Sequence, residues 1–533
     1  MKVAIIAPPY PLAEAPAPPL GVSYVAAAFL AAGAEVRVFD YIVRRYTEAK
    51  LQAELDSFQP DIVGATSVTL NFPGAAAILT AVKRYRPEVV TVMGGPHVSF
   101  TAAATLQAYP GIDIIVMGEG EETINELVNA EFDERKLSMI RGIAYRSNGE
   151  PVVNEARAFI ADLDALPLPA RHLLPLSRYR ALGYPISIIT GRGCPYKCIF
   201  CQGRRMVGAK IRSRSASLVV DEIEEIMSYG IDRINVADDL FVTDRKKVRA
   251  VCDEIRRRGL RFSWSAFARV NTVDRETLEI MKATGCDSIS FGVESGNPEM
   301  LIRIKKKITL PQVRRAVRLC QDVGILPHTS FVVGLPGESP ETLADTRKFA
   351  SSLGSLYGYH ILAPFPGTTV RERVAEYDLE ILTDDWTRYD ANRAITRTSR
   401  LRPEDIDAFV DEFEGEIMKG WHKQVRNYQT GANSPAEDLQ VAGYFRTQFV
   451  YRLLSEDLIE RLGEDEVGED EAGSEERLCR RLIATTGTDE ALVRRAVADF
   501  ISRGFIKYGT RVGIPGGKPG WFWTHNNKID SLS

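Results

Sequence analysis

The sequence contains no long apolar run and no recognisable export signal, and these absences exclude a membrane-spanning or exported chain. Its longest apolar run near the start, residues 24–33, is only about ten residues long, whereas a helix needs roughly 20 apolar residues to cross a bilayer. The first residues, MKVAIIAPPY, form a short apolar segment before a proline turn and offer no cleavage site. We therefore expect a cytoplasmic protein with no membrane span.

The sequence also lacks an excess of charge of one sign and a set of paired cysteines. A formal net charge of −4 over 533 residues produces no basic field, so nucleic acid is an unlikely partner on electrostatic grounds. Seven cysteines in a chain of this length do not form a disulfide framework. Four of them stand apart in apolar or helical segments, where we expect buried and inert thiols: Cys252, Cys286, Cys320 and Cys479.

The first part of the chain alternates short apolar runs with segments of helical spacing. The runs at residues 3–7, 35–39, 62–67, 89–93 and 114–117 predict buried strands. This alternation is typical of an α/β fold with an open parallel sheet, helices on both faces and ligands at the carboxyl ends of the strands. We predict a Rossmann-like domain over residues 1–140, then a linker over 141–184 with hairpin character at its start.

A second alternating series begins after the linker. Six runs, at residues 186–190, 233–237, 263–267, 288–292, 329–333 and 358–362, predict strands that are each followed by a helix. Six such units predict a partial (β/α)6 barrel over residues 185–375, whose chemistry would take place at the carboxyl ends of its strands.

The remaining chain is predicted to be mostly helical. A helical region over residues 376–463 precedes an acidic segment, residues 464–476, in which eight of thirteen positions are Asp or Glu. Within residues 464–533, two helices, a strand over 506–512, a Gly-rich turn and a strand over 521–524 give a winged-helix-like pattern. The acidic approach favours packing or substrate covering over DNA binding for this end, and both interpretations stay open.

Three cysteines lie within eight residues on a loop that directly follows the first predicted barrel strand. The segment 191–203 reads GRGCPYKCIFCQG, and its thiols are Cys194, Cys198 and Cys201. Three thiolates on one short loop are able to hold a 4Fe–4S cluster, with one iron left open for another ligand. A structural zinc site normally has four protein ligands, and no fourth cysteine or histidine is nearby. The loop therefore predicts a cluster at the active-site end of the barrel.

This motif resembles the CxxxCxxC signature of the radical S-adenosylmethionine superfamily. The resemblance implies that the open iron binds S-adenosylmethionine, and that an electron from the cluster cleaves it to methionine and a 5′-deoxyadenosyl radical. It also implies that Phe200, the aromatic residue before the third cysteine, contacts the cofactor. A low-potential electron donor such as flavodoxin or ferredoxin is the implied protein partner.

Motifs at the later strand ends extend the resemblance through the barrel. ADDLF at 237–241 is similar to the acidic segment that receives the methionine ammonium, and we choose Asp239 over Asp238 for this role. The resemblance further implies that Arg269 pairs with the cofactor carboxylate and that Glu294 lies near its ribose or methionine part. The turn VGLPGE, which contains Gly334, resembles the glycine-rich turn near the adenine. Barrel-lining ion pairs are the alternative for Arg269 and Glu294.

The first domain resembles the cobalamin-binding domain of the largest subclass of this superfamily. The matching stretches are PDIVGAT, GGPH and MGEGE, and they imply cofactor contacts at Thr66, Ser67, Gly94, Gly95, His97, Gly118 and Glu119. The chain departs from classical cobalamin carriers because it has no Asp-x-His-x-x-Gly motif. We therefore expect His97 to be a loop or cofactor-tail contact rather than a cobalt ligand. A Rossmann-like scaffolding domain that binds no cobalamin is the alternative interpretation.

The resemblance implies methyl transfer to an unactivated carbon, or to phosphorus, of a small-molecule substrate. A cobalamin-dependent radical reaction without methylation, such as anaerobic porphyrin ring cyclisation, is the alternative. A nucleic-acid-binding regulator with a redox-sensing cluster is a third and remote one. We expect Trp386, Tyr389 and His422 to help cover the site, and residues 166–180, His360 and the PFPG segment at 364–367 to select the substrate. No motif in the sequence identifies that substrate.

Overall fold

The first domain is a seven-stranded sheet with helices on both faces. The computed structural model describes residues 1–11, 16–464, 471–510 and 519–525. The strands of this sheet are β1 (Lys2–Ala7), β2 (Glu35–Asp40), β3 (Ile62–Thr66), β4 (Val90–Gly94), β5 (Ile114–Val116), β6 (Ile143–Ser147) and β7 (Glu150–Val153). Its helices are α1 (Leu20–Ala31), α2 (Glu48–Phe58), α3 (Phe72–Tyr85), α4 (Val98–Ala108), α5 (Glu121–Ala130) and α6 (Glu134–Leu137).

The strand order is β2-β1-β3-β4-β5-β6-β7, and β1 to β5 are parallel. The five predicted strands are thus confirmed. Strands such as β1 and β3 are apolar along their whole length because helices cover both faces of a parallel sheet. One boundary is wrong: the hairpin β6–β7, which we assigned to the linker, pairs antiparallel with β5 and extends the first sheet to Val153.

The second domain is an open barrel of six parallel strands in the order β15-β14-β13-β12-β11-β8. After the linker helix α7 (Leu176–Leu182), its strands are β8 (Ile186–Ile188), β11 (Arg233–Val236), β12 (Ser263–Ala268), β13 (Cys286–Glu294), β14 (Leu326–Val333) and β15 (Leu356–Ile361), with the short pair β9 (Gly191–Arg192) and β10 (Arg212–Ser213) beside them. Its helices are α8 (Gly203–Val207), α9 (Ala216–Ser228), α10 (Arg245–Arg257), α11 (Arg275–Ala283), α12 (Pro298–Arg303), α13 (Leu310–Asp322) and α14 (Pro340–Ser351). All six predicted strands are confirmed.

Side chains alternate along the barrel strands, and this alternation sets the character of the lumen. Along β14, Thr329, Phe331 and Val333 are buried, whereas His328 and Ser330, which alternate with them, are less buried. The lumen-facing side chains of neighbouring strands contact one another, since Ser265 donates a hydrogen bond of 3.0 Å to Asn235. The lumen is therefore lined partly by small polar groups.

The C-terminal region is mostly helical and folds back onto the linker. Its elements are α15 (Thr369–Glu372), β16 (Glu380–Ile381), β17 (Thr396–Arg397), α16 (Pro403–Thr430), α17 (Pro435–Ser455), α18 (Leu458–Leu462), α19 (Glu471–Thr486), α20 (Glu490–Ser502), β18 (Ile506–Gly509) and β19 (Gly520–Trp523). The antiparallel hairpin β18–β19 follows two helices, as the winged-helix-like pattern predicts. Six residues of the predicted acidic segment (465–470), the end of the predicted strand and most of the Gly-rich turn (511–518) lie outside the described residues.

The core of this C-terminal end includes side chains of α7. Tyr179 and Leu182 pack in one cluster with Phe500 and Trp523. The Ser177 hydroxyl is also 2.7 Å from that of Thr524. This packing favours the structural interpretation of the winged-helix-like end. Within the described ranges, no helix combines the length and the apolar character that a bilayer crossing requires.

Candidate active site

The three cysteines lie on a loop whose base is the β9–β10 pair, at the carboxyl end of β8. Arg192 and Arg212 are register partners in that pair. The loop is held from below by two backbone hydrogen bonds of Ile199, which donates to Ile304 at 3.2 Å and accepts from Val370 at 2.9 Å. Gly193 has a φ of 116°, and a Cβ atom there would lie 2.1 Å from the Lys210 carbonyl oxygen. Only glycine fits this closure of the loop.

The cysteines of the loop differ from the others in exposure. Cys194 and Cys198 are half-buried and Cys201 is exposed, whereas the four scattered thiols are all buried and unpaired, as predicted. In the described part of the chain, no three His, Cys, Asp or Glu side chains converge on one metal ion. This arrangement fits a cluster, in which each thiolate binds a different iron, better than it fits a single ion.

Two adjacent aspartates follow β11, and the structure separates their roles. Asp238 is buried and accepts hydrogen bonds from the backbone and hydroxyl of Thr190 and from Lys247. Asp239 is exposed at the loop and makes no hydrogen bond or ion pair with any other described residue. An added Cβ at Gly203 would lie 3.3 Å from the Asp239 carboxylate and 3.4 Å from the Cys201 sulfur, so the two groups flank one position. The surrounding protein and the charge of Asp238 raise the pKa of Asp239.

A buried guanidinium lies on the other side of the loop. Arg269, only 6% exposed, places one nitrogen 4.0 Å from the Cys198 sulfur and stacks on the Tyr196 ring at 3.6 Å. It donates to the Lys306 carbonyl oxygen, but its Nε has no hydrogen-bond partner. Arg269 has no carboxylate partner among the described residues, so the predicted alternative of an ion pair does not apply to it. A buried cation with a free donor fits an anionic ligand at this place.

Glu294 ends β13 at a bulge and does form the alternative ion pair. Its backbone has a φ of 73°, and its carboxylate lies 2.6 Å from the Lys306 ammonium, with both side chains buried. Gly292 allows this contact because a Cβ there would lie 2.5 Å from the Glu294 carboxylate. The pair lines the barrel next to Arg269.

The turn after β14 is closed by Glu338. Its carboxylate accepts hydrogen bonds from the backbone N–H groups of Gly334 (2.6 Å) and Leu335 (3.1 Å), and its other oxygen is buried without a partner. Burial raises the pKa of Glu338 to about 8. Gly334, with a φ of 80°, makes the turn possible. Phe200 is half-buried against the barrel core.

A crevice opens at the carboxyl edge of the first sheet. Its empty volume is about 580 Å³, and most of its lining is apolar or glycine. Four of the predicted cofactor contacts line it: Thr66, Gly94, Gly95 and Gly118. Because glycine lets a bulky ligand approach the backbone closely, this lining fits the tail of a cobalamin.

Ser67 and His97 are not among the residues that line the crevice. Both side chains are 1% exposed. The His97 ring stacks on Phe72 with centroids 4.0 Å apart and meets the edge of Trp386 at 4.9 Å. Burial, together with the charge of Arg371, lowers the pKa of His97 to about 4. The ring is therefore a neutral part of the domain junction, and its side chain does not contribute to the crevice.

The side chain of Glu119, which we predict to contact the cofactor, bridges the two domains. Glu119 receives two hydrogen bonds from Arg212, at 2.8 and 2.9 Å, and one of 3.1 Å from Arg192. Arg192 also binds Glu121 at 2.5 Å. We call these four residues, whose side chains are at most 10% exposed, the interdomain clamp. It joins the rim of the crevice to the base of the cysteine loop.

Two of the three residues that we expect to cover the site lie together at the domain junction, and the third does not. Trp386 and Tyr389 pack together near His97, and Arg371 lies over the Trp386 ring at 4.6 Å. His422 is exposed on α16, so the structure does not bring it to the other two. Of the residues that sequence reasoning missed, Arg192 stands inside the cysteine motif, but Arg212 and Lys306 carried no signal of their own.

Comparison with known proteins agrees with both halves of this arrangement. Residues 13–128 match the B12 binding domain family, and residues 188–350 match the radical SAM superfamily. An uncharacterized methyltransferase of Pyrococcus horikoshii is 34% identical over 418 residues, which are 77% of this chain and 91% of the relative. The anaerobic magnesium-protoporphyrin IX monomethyl ester cyclase of Rubrivivax gelatinosus is 32% identical over 414 residues, or 75% of this chain and 74% of the cyclase.

A solved structure shares the whole architecture. The cobalamin-dependent S-adenosylmethionine radical enzyme OxsB, with aqua-cobalamin and S-adenosylmethionine bound, aligns with a TM-score of 0.68 at 17% identity. The alignment covers 94% of this chain and 83% of OxsB. The shared fold therefore extends beyond the two matched families into the C-terminal region.

Proposed function

This chain belongs to the radical S-adenosylmethionine superfamily, in the group with a B12-binding domain ahead of the radical domain, and we propose that it methylates an unactivated carbon, or phosphorus, of a small molecule. The observation that carries the proposal is the juxtaposition of a B12-type crevice and a cysteine loop in one chain. Its cofactors are a 4Fe–4S cluster, S-adenosylmethionine and cobalamin.

When bound, the cluster supplies the electron that cleaves S-adenosylmethionine to methionine and a 5′-deoxyadenosyl radical, and cobalamin supplies the methyl group. Cys194, Cys198 and Cys201 hold the cluster in this proposal. Asp239 binds the methionine ammonium, because it is the carboxylate beside the loop that has no other described partner. Arg269 binds the carboxylate of the same ligand through its free donor.

The other proposed contacts shape the cofactor pocket. The turn at Gly334 offers a glycine backbone toward the adenine, and Phe200 packs beside the cluster. Glu294 reaches the ribose or methionine part of the cofactor while its charge is balanced by Lys306. The crevice residues Thr66 and Gly94 contact cobalamin through backbone and small side chains. The aromatic junction around Trp386 excludes water from the space between the cofactors.

A low-potential electron donor of the flavodoxin or ferredoxin class is proposed as the partner protein, and the cytoplasm as the compartment. A non-methylating cobalamin-dependent reaction is the second candidate function. The similarity to a ring cyclase at 32% identity specifically favours it.

The test is anaerobic reconstitution with iron, sulfide and hydroxocobalamin, followed by S-adenosylmethionine and dithionite. We expect 5′-deoxyadenosine from the unchanged protein and none from Cys198→Ala. Cys320→Ala, which removes a buried thiol far from the loop, is the matched control and should keep the activity. Equal yields from both variants would sink the radical assignment.

A second arm separates the two candidate reactions. S-adenosylmethionine labelled with deuterium in its methyl group is supplied together with a metabolite extract. In methyl transfer, label enters a small molecule and S-adenosylhomocysteine accumulates with it. If 5′-deoxyadenosine forms and a product appears without label, the reaction is of the cyclase type.

A further inference from the structure

The loop between α12 and α13 has an unusual backbone that buries Lys306 and leaves Lys305 and Lys307 exposed on either side of it. Lys305 and Lys307 have φ values of 57° and 55°, a left-handed conformation that residues other than glycine rarely adopt and that costs roughly 1–2 kcal/mol each. Lys306, between them, points inward to Glu294. Strain of this kind persists only where the surrounding structure enforces it, and it marks places of functional interest.

The same loop lies directly against the cysteine loop. The Lys305 carbonyl oxygen is 3.8 Å from the Cys198 sulfur, and Arg269 binds the next carbonyl, that of Lys306. Lys305 and Lys307 are exposed, and so is Lys197, the residue before Cys198. None of these three exposed lysines forms an ion pair with any described residue. The exposed lysine loop is therefore in direct contact with one of the three loop cysteines.

An exposed apolar side chain stands next to these charges. Ile302 is 78% exposed, and its carbonyl accepts a hydrogen bond from the Lys305 N–H. We call Lys197, Ile302, Lys305 and Lys307 the basic face. Two acidic groups are close to it: Glu376 is paired with Arg373, and Glu299 lies on α12 with Ile302. An apolar centre with a charged rim is the usual anatomy of a protein–protein contact.

We propose that the basic face is the docking surface for a small acidic protein that carries one electron to the cluster. The inference rests on the proposed function, which requires an external one-electron donor. The positive rim selects an acidic partner and speeds its encounter, and Ile302 provides the apolar contact. The step itself is balanced, since the carrier loses one electron, the cluster gains one, and no bond or proton is exchanged.

The first test measures binding without catalysis. Oxidised acidic ferredoxin is titrated calorimetrically into the full chain at low and high ionic strength. The double variant Lys305→Asn/Lys307→Asn removes both charges, while asparagine tolerates the left-handed backbone. For this variant we expect roughly tenfold weaker binding and a smaller salt dependence. The double variant Lys305→Arg/Lys307→Arg retains both charges and should bind ferredoxin with the affinity and salt dependence of the unchanged protein. Ile302→Ser should weaken binding without changing the salt dependence.

Lys423→Asn on α16, which removes an exposed lysine elsewhere, is the matched control and should bind normally. The second readout is the ratio of 5′-deoxyadenosine formed with reduced ferredoxin to that formed with dithionite. This ratio should fall about tenfold in the double asparagine variant. Unchanged binding or an unchanged ratio would overturn the proposal. Binding of a DNA duplex that the same variant abolishes would overturn it too, by assigning the face to nucleic acid.

The outcomes also separate this proposal from the proposed function. If the unchanged protein forms no 5′-deoxyadenosine with either reductant, the radical assignment fails. The calorimetric result then still decides whether the face binds an acidic protein.

Discussion

Replacing Glu119 by glutamine should loosen the base of the cysteine loop, because this carboxylate is the centre of the interdomain clamp. The side chains of Glu119 and Arg212 are 5% and 7% exposed, and breaking a buried pair by removing one charge costs about 3–5 kcal/mol. Arg212 would keep the carbonyls of Ile160 and Val207 as acceptors, and Arg192 would keep Glu121. We therefore expect a loss near the lower end of that range.

Hydrogen exchange is the suitable assay, because unfolding of a multidomain chain is not two-state. At about 1.4 kcal/mol per tenfold change, a loss of 3–5 kcal/mol in local opening speeds exchange by about a hundredfold to a few thousandfold. The effect should appear in residues 191–213. The control Glu412→Gln breaks the exposed pair with Arg347, where we expect less than about 1 kcal/mol.

The pH dependence of the clamp has a definite sign. Burial alone would raise the pKa of Glu119, but the hydrogen bonds from Arg212 and the charge of Arg192 lower it below its ordinary value of 4.5. Its stabilisation is thus present above that value and is lost as the pH falls through the lowered pKa. If hydrogen exchange at residues 191–213 of Glu119→Gln stays within about threefold of that in the unchanged protein near neutral pH, this account of the clamp is refuted.

Three further predictions concern the pocket. Burial raises the pKa of Glu338 from 4.5 to about 8, so the folded state holds a proton that the unfolded state loses between these two values. The protection of residues 334–339 against hydrogen exchange should therefore fall as the pH rises from 4.5 to 8, by at most about 5 kcal/mol at about 1.4 kcal/mol per tenfold change. A Glu338→Gln variant with the same pH dependence would contradict this account. Gly193→Ala should lower the iron and sulfide bound after reconstitution, whereas Gly74→Ala, at a position with nothing within 4 Å, should not; equal loading would show that the loop closure is tolerant. Asp239→Asn should weaken S-adenosylmethionine binding by about 10- to 100-fold in equilibrium dialysis. The control is Asp287→Asn, in a half-exposed pair with Arg233, which should leave this binding unchanged.

The strands of both domains were predictable because each is a short apolar run that is separated from the next by a segment of helical spacing. The six barrel strands and the five parallel strands follow from that pattern alone. The pattern of residues 139–153 predicts a hairpin, but it does not indicate which sheet edge the hairpin joins. The hairpin β6–β7 was therefore assigned to the linker, although it belongs to the first sheet. Pairing with β5 is a long-range choice that only the folded edge decides.

The site was predictable where a motif carries the chemistry and unpredictable where a distant partner does. The cysteine spacing and the position of Asp239 follow from contiguous segments. Glu119 lies in a glycine-rich turn, which predicts a cofactor contact, whereas the residue that its side chain binds, Arg212, is 93 residues away in sequence. The His97 ring likewise contacts Trp386, a residue that no local pattern links to it.

The contact between the end of the chain and the interdomain linker has a consequence for biosynthesis. Thr524 lies 347 residues after its partner Ser177, and the backbone of Ser177 also donates to the His525 carbonyl. On the ribosome, both cofactor domains therefore emerge and fold as units while the segment that joins them still lacks its last partners. This part of the linker completes its packing only after Thr524 and His525 have been synthesised.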